Sequence, residues 1–274
     1  MQNKKGSAGI IVAIIVLIAV VALIYFSYNS SISSSDKGRV VFGITDAAAN
    51  MGSVSKIDIT INEVAAHSQT EGWVTLSSTP KTYNLLELKA SGDTAVLADV
   101  QVPEGNYEQL RLKSSKVVVT DASGSHEAKL PSGELKIIGG MSVAPNTTAT
   151  ATFDFIADES LHVTGNGQYI LAPVVQVETR EDATVETKAN SNIIVKSGDI
   201  KTNVKVGMDI EGNVGTNIRI DKNVDLSIGS DNKIKVGVGN SIGLSSSSSS
   251  SASSNSNSSG NTSSSGNVDV RVGY

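Results

Sequence analysis

The sequence predicts a mostly β protein, an antiparallel sandwich or barrel, set behind one N-terminal transmembrane helix and followed by additional C-terminal strands. Three observations predict it. An apolar run near the N-terminus is long enough to cross a bilayer. Apolar and polar residues alternate with period two through the middle of the chain, and turn residues interrupt them at short intervals. Aromatic residues make up 4% and charged residues 18% of the chain, leaving it rich in Ser, Thr, Val, Gly and Asn. That mixture favours strands and turns over helices.

The apolar run extends from Ala8 to Phe26. About 19 residues at ~1.5 Å rise give roughly 28 Å, close to one hydrocarbon thickness. Lys4 and Lys5 precede the run, and no Lys or Arg follows until Lys37. This asymmetry puts residues 1–7 in the cytoplasm, residues 8–28 across the membrane and the bulk of the chain outside. Tyr25, Phe26 and Tyr28 fall at the level of an aromatic belt. Three fates of the segment compete. A retained signal-anchor fits the length. A cleaved secretory signal needs a shorter core and a small-residue exit, whereas this run ends in Tyr-Phe-Ser-Tyr. The third is a segment cut after Gly6.

Residues 29–37 read as a Ser-rich stalk, and the main domain is expected over residues 38–180. Val40, Phe42 and Ile44 alternate, as do Ile57, Ile59 and Ile61. Leu110 with Leu112, Val117 with Val119, Phe153 with Phe155, and Tyr169, Leu171 and Pro173 continue the pattern. Each set is the buried side of a half-buried strand. Turns are expected at Glu71-Gly72, Pro103-Glu104-Gly105, Ser123-Gly124, Pro131-Ser132-Gly133, Gly139-Gly140 and Gly165-Asn166-Gly167. One short helical turn is expected at Leu85–Ala90.

Residues 181–244 form a β-rich extension with strand-like stretches at Val204–Gly207, Ile218–Ile220 and Lys233–Gly237. Residues 245–266 are nearly pure Ser, Asn and Gly and cannot bury enough apolar surface to fold. Residues 267–274 then read as a terminal strand. Asn267-Val-Asp-Val-Arg-Val-Gly273 echoes Asn223-Val-Asp-Leu-Ser-Ile-Gly229, and the expectation is that the terminal strand folds back beside the earlier copy, the alternative being insertion into a neighbouring molecule as a donor strand.

Two resemblances follow from motifs. Lys4-Lys5-Gly6 before Ser7-Ala8-Gly9-Ile10 resembles the processing site of archaeal class III signal segments, which implies cleavage after Gly6 and a pilin-like filament subunit. Thr45-Asp46-Ala47, Ile61-Asn62-Glu63-Val64 with His67, and Trp73-Val74-Thr75-Leu76 come first along the main domain. Leu85-Leu86-Glu87-Leu88, Pro103-Glu104-Gly105-Asn106-Tyr107 and Leu110-Arg111-Leu112 follow, then Leu130-Pro131-Ser132-Gly133, Phe153-Asp154-Phe155 and Gly167 to Val174. In this order and spacing, residues from about 38 to 178 resemble the domain of unknown function 4382 family. Ala48 stands where that family usually has proline. The resemblance implies an immunoglobulin- or prealbumin-like sandwich and no established reaction.

The chemistry-bearing residues are sparse. Without cysteine, disulfides, thiolate catalysis and Cys-based zinc sites are excluded. A net charge of −5 argues against nucleic acid as a partner. His67, His126 and His162 lack metal-ligand spacing. Glu63 and His67 can converge with Asp46 or Asp154, but a strand-ending His67 and a Glu63 contact to backbone or to Arg111 explain them more simply. Asp154 can cap a turn or pair with Arg111. Asp121, Asp221 and Asp231 fit turns. Ser132 lacks the elbow and base of a nucleophile. No catalytic, cofactor or metal residue is therefore assigned. Trp73, Tyr83 and Tyr107 are the candidate sugar-stacking surface, with core packing the competing role for Trp73 and Tyr107. Asn29, Asn146, Asn257 and Asn261 head glycosylation sequons. The expected function is non-enzymatic: a cell-envelope module for binding or adhesion, held by residues 8–28, with envelope glycans or another envelope protein as partner. A pilin-like subunit and a glycan- or solute-sensing module are the alternatives.

Overall fold

The structure, a computed structural model, describes residues 18–21, 36–47 and 51–237. Of the expected membrane segment only Ile18–Val21 are described, and they are helical. Among the described residues no helix is long and apolar enough to cross a membrane. Residues 29–35 of the expected stalk, the Ser-rich tract, the terminal strand and Asn29, Asn257 and Asn261 lie outside the described residues; the stalk was expected to reach residue 37, but Lys37 already begins the first strand, its carbonyl accepting the Asn146 N–H.

The alternating segments form strands, and their apolar sides meet in one core. β1 (Lys37–Asp46), β5 (Thr94–Pro103) and β9 (Thr148–Phe155) lie side by side, with β1 antiparallel to β5 and parallel to β9. β12 (Val174–Thr187) adds to β9, β13 (Asn192–Met208) pairs with β12 and β5, and β14 (Val214–Thr216) adds to β13. The second sheet is built on β2 (Lys56–Ser68) and β6 (Gly105–Asp121), paired antiparallel from Lys56↔Thr120 to Ser68↔Tyr107. β3 (Gly72–Ser77) and β4 (Lys81–Asn84) share the outer side of β2. β7 (Gly124–Glu127) and β8 (Glu134–Val143) share the outer side of β6. Phe42, Ile44, Phe153 and Phe155 from the first sheet and Ile57, Ile59, Leu110 and Leu112 from the second belong to a single buried cluster. The fold is thus mostly β, with two six-stranded sheets and few helices.

The expected helical turn is α1 (Leu85–Ser91), which buries Leu85 and Leu88. Gly92, at φ 65°, ends it, its own N–H returning to Lys89 O and the Asp93 N–H to Leu88 O. This paired return satisfies carbonyls that the helix leaves open, and glycine adopts the left-handed geometry without a Cβ penalty. A single turn, α2 (Ala157–Ser160), leads into the small hairpin of β10 (Leu161–Val163) and β11 (Tyr169–Leu171), with the expected turn at Gly165-Asn166-Gly167.

The chain after residue 173 completes the first sheet. β12 pairs with β9 through Val175–Arg180, while the far end of the hairpin brings Asn192 and Ile193 against Ala95 and Thr94 of β5. Because β12 and β13 also pair with each other, five strands close into a ring of ladders. The register shifts where Asp182 and Gly198 take positive φ, an irregularity of the kind that bends a strand pair. A Cβ on Gly43 would lie 3.1 Å from Ile193 Cδ1. Val41, directed away from the main core, is fully buried.

Two expectations are corrected. Gly139-Gly140 is not a turn but the interior of β8. A Cβ on Gly139 would stand 3.2 Å from Thr202 Cγ2, and Gly140 O accepts hydrogen bonds from both Thr179 and Thr202 hydroxyls, so the pair marks a close crossing of β8 with the β12–β13 hairpin. Ile218–Ile220 is not a strand: Asn217, at φ 63°, turns the chain, and Ile220 is buried in a second small cluster with Ile170, Ala172 and Leu226. There β15 (Leu226–Ile228) and β16 (Ile234–Val236) form a two-stranded sheet.

Candidate functional site

The stacking platform expected from Trp73, Tyr83 and Tyr107 is not assembled. Tyr83 and Tyr107 are buried in the core, and their phenols bond backbone carbonyls, Tyr83 to Val96 O at 2.8 Å and Tyr107 to Pro103 O at 2.9 Å. Burial pushes the Tyr83 phenol up to about 12. The Tyr107 bond reaches four residues back across the Pro103-Glu104-Gly105 turn and fixes that corner. Trp73 lies on the outer face of the second sheet, half-buried, with the Arg111 guanidinium 4.0 Å from its ring centroid. His67 meets it edge-on at 5.1 Å, and Lys136 is 5.8 Å away. The guanidinium thus covers one face of the ring.

The acidic residues are equally committed. Glu63 accepts from Arg111 at 2.7 Å and from Lys113 at 3.2 Å, and these cations, Lys113 foremost, hold its carboxyl below the usual range. Asp46 accepts the N–H of Ala157 at 3.1 Å. Asp154 does not pair with Arg111; burial raises its carboxyl, with Lys89 opposing. Asp46, Glu63, His67 and Asp154 are therefore not brought together. Among the described residues no three His, Asp or Glu side chains converge as metal ligands.

At the β6–β7 turn three residues come together that suggest nucleophilic chemistry at first sight. Ser123 Oγ lies 2.9 Å from His126 Nε2, and Asp121 Oδ1 lies 3.4 Å from the same nitrogen. A relay needs the carboxylate on the other ring nitrogen. Here the Ser123 hydroxyl donates to Asp121 Oδ1 at 2.6 Å, the Ser123 N–H donates to the same oxygen, and Tyr169 donates to Oδ2 at 2.6 Å. These bonds hold the Asp121 carboxyl far below its ordinary value, and the carboxylate in turn raises the Tyr169 phenol. The set ties the turn to β11.

Beside this lock the second sheet opens. β8 pairs with β6 only as far as Lys113↔Glu134, and β7 begins at Val118↔Glu127. The connecting chain leaves β6 and bonds β11 instead: Lys129 N–H donates to Tyr169 O, and Leu171 N–H to Lys129 O. The result is a groove of about 780 Å³, bounded by Ser114–Lys116 on one side and by the β10–β11 turn and the β15–β16 hairpin on the others. Its polar lining includes Lys116, Lys129 and Glu127 with the amides of Asn166, Gln168 and Asn232. Sequence reasoning found Asn166 only as a turn and missed both lysines, because the residues come from four separate elements. Asn146, the one sequon asparagine within the described residues, is exposed at φ 59° between β8 and β9.

No curated protein and no solved structure matches the chain. Residues 37–173 match the model of one family, described as a domain of unknown function. That match stops just before β12, so the two strands that close the first sheet lie beyond it. Since it spans half of the chain, the protein belongs to the DUF4382 family.

Proposed function

We propose that the protein is a non-enzymatic binding module of the cell envelope, held by residues 8–28 with its bulk outside the cytoplasm, and that the groove between β7 and β8 takes an acidic glycan. One observation carries the reading. The groove gathers two lysines, three amide side chains and serine hydroxyls around one lining carboxylate, Glu127. Amides and hydroxyls match sugar hydroxyls, and Lys116 and Lys129 match the carboxylate of a uronic acid. Glu127, on the rim, selects against ligands of high negative charge density. The immunoglobulin- or prealbumin-like sandwich is the architecture we assign to the two sheets, a rigid support for such a site.

The test is binding of an oligosaccharide of uronic acids to the full chain, followed by calorimetry. Lys129→Ala and Gln168→Ala should each weaken binding about tenfold, as expected for lost charge-assisted or neutral hydrogen bonds. Binding that survives both changes, or that Trp73→Ala abolishes, would refute the groove as the site.

A further inference from the structure

We infer that the β15–β16 sheet is completed by a third strand, residues 267–274 of the same chain, added to the outer edge of β16. Two strands of three residues each are too little to be stable alone; a third strand or packing on other elements is needed. Among the described residues β16 pairs with β15 alone. Gly237 N–H donates to Asp225 O and Gly229 N–H to Lys233 O. With Ser227 opposite Lys235 between them, the N–H and C=O groups of Ile234 and Val236 point away from β15. Val236 is 50% exposed there. The edge is thus an open template for strand addition.

The occupant follows from pattern, charge and tether. Val268, Val270 and Val272 form one apolar row and Asp269 and Arg271 the opposite one. Setting the valines in line with Ile234 and Val236 extends the small apolar cluster of Ile220 and Leu226. The same placement puts Asp269 on the face that carries Lys233 and Lys235. The sequence echo alone would place the strand beside Asn223–Gly229. That side of β15 already meets the β10–β11 turn, where Gly165 N–H donates to Leu226 O, so the free position is on β16. The 29 residues between Gly237 and Asn267 are mostly Ser, Asn and Gly. Flexible-linker scaling gives a chain of that length and composition a reach of roughly 30 Å and a local strand concentration on the order of millimolar.

Amide hydrogen exchange on the full chain tests this, compared with a chain ending at Gly266 and with a full chain carrying Val270→Lys. The Ile234 and Val236 amides should exchange at least tenfold more slowly in the unaltered chain than in either variant, independently of protein concentration. Amides of β2 and β6 should exchange alike in all three and so report that the fold is intact. Equal exchange at Ile234 and Val236 in all three chains would overturn the inference. So would slowing that appears only as the chain dimerises, since the strand would then occupy a second copy. The readout does not depend on the ligand of the groove, so this inference and the proposed function can fail separately.

Discussion

Arg111 lies 4.0 Å from the ring centroid of Trp73 and at the same time donates to Glu63 at 2.7 Å, so one guanidinium holds together the outer face of the second sheet. Ala65, opposite Arg111 in the ladder, is fully buried although it lies outside the core cluster. Replacing Arg111 with Ala should uncover Ala65 and one face of the indole. The expected cost is roughly 1–2 kcal/mol, from the cation–π contact and the packed aliphatic stem. Trp73 is the single tryptophan. Its emission should therefore shift to the red in the folded variant, and an unshifted spectrum would show that Arg111 does not cover the ring.

Tyr107→Phe isolates the corner bond. The ring is almost wholly buried and keeps its packing, while Pro103 O loses its donor. A loss of about 1 kcal/mol in chemical denaturation is expected. Tyr107→Ala removes the ring as well and should cost about 3–5 kcal/mol.

Much of this arrangement is legible in the sequence, and the limits have physical reasons. Period-two alternation identified the buried rows of β1, β2, β6 and β9 because each strand has one wet face. It could not foresee the bent β12–β13 hairpin, whose contact at Ile193 depends on Thr94, a partner far away along the chain. Gly139-Gly140 looked like a turn because local sequence cannot distinguish a glycine needed for φ from one needed for close approach to Thr202. The Glu63–Arg111 contact was one of two roles the sequence left open for Glu63, whereas the groove was not legible, since its lining is set by where β7 and β8 stop.

The hairpin gives a test of its own. Gly198 sits at φ 129°, and a Cβ there would stand 2.8 Å from Glu181 O. Gly198→Ala should strain the bend and destabilise the protein by about 1–3 kcal/mol. Exchange at Thr94 and Ala95 should rise more than exchange at Phe153, because the hairpin tip would detach from β5 before the main ladder opens.

His162 makes stability depend on pH. It is 6% exposed, and its Nε2 has no protein partner among the described residues. Burial, with Lys222 adding repulsion, brings its imidazole down to about 4. The unfolded chain, with an ordinary value near ~6.5, binds the proton first, so acid favours unfolding. Stability should be full above about pH 6.5 and fall by roughly 3 kcal/mol as the pH drops to about 4. Asp121, whose carboxyl is depressed, loses its contribution only at lower pH, as the pH falls below the ordinary carboxylate range. His162→Leu should flatten the profile between pH 6.5 and 4 and leave the more acidic limb in place. An unchanged slope in that window would rule out the histidine as its source.

A hydrogen-exchange footprint shows whether the groove between β7 and β8 is the ligand-facing surface. The full chain would be measured with and without an acidic envelope polysaccharide. Added protection is expected at Ser114–Lys116, at His126–Gly133 and at Asn166–Tyr169, with the outer face around Trp73 unchanged. Protection centred on His67, Trp73 and Arg111, or no protection at all, would contradict it.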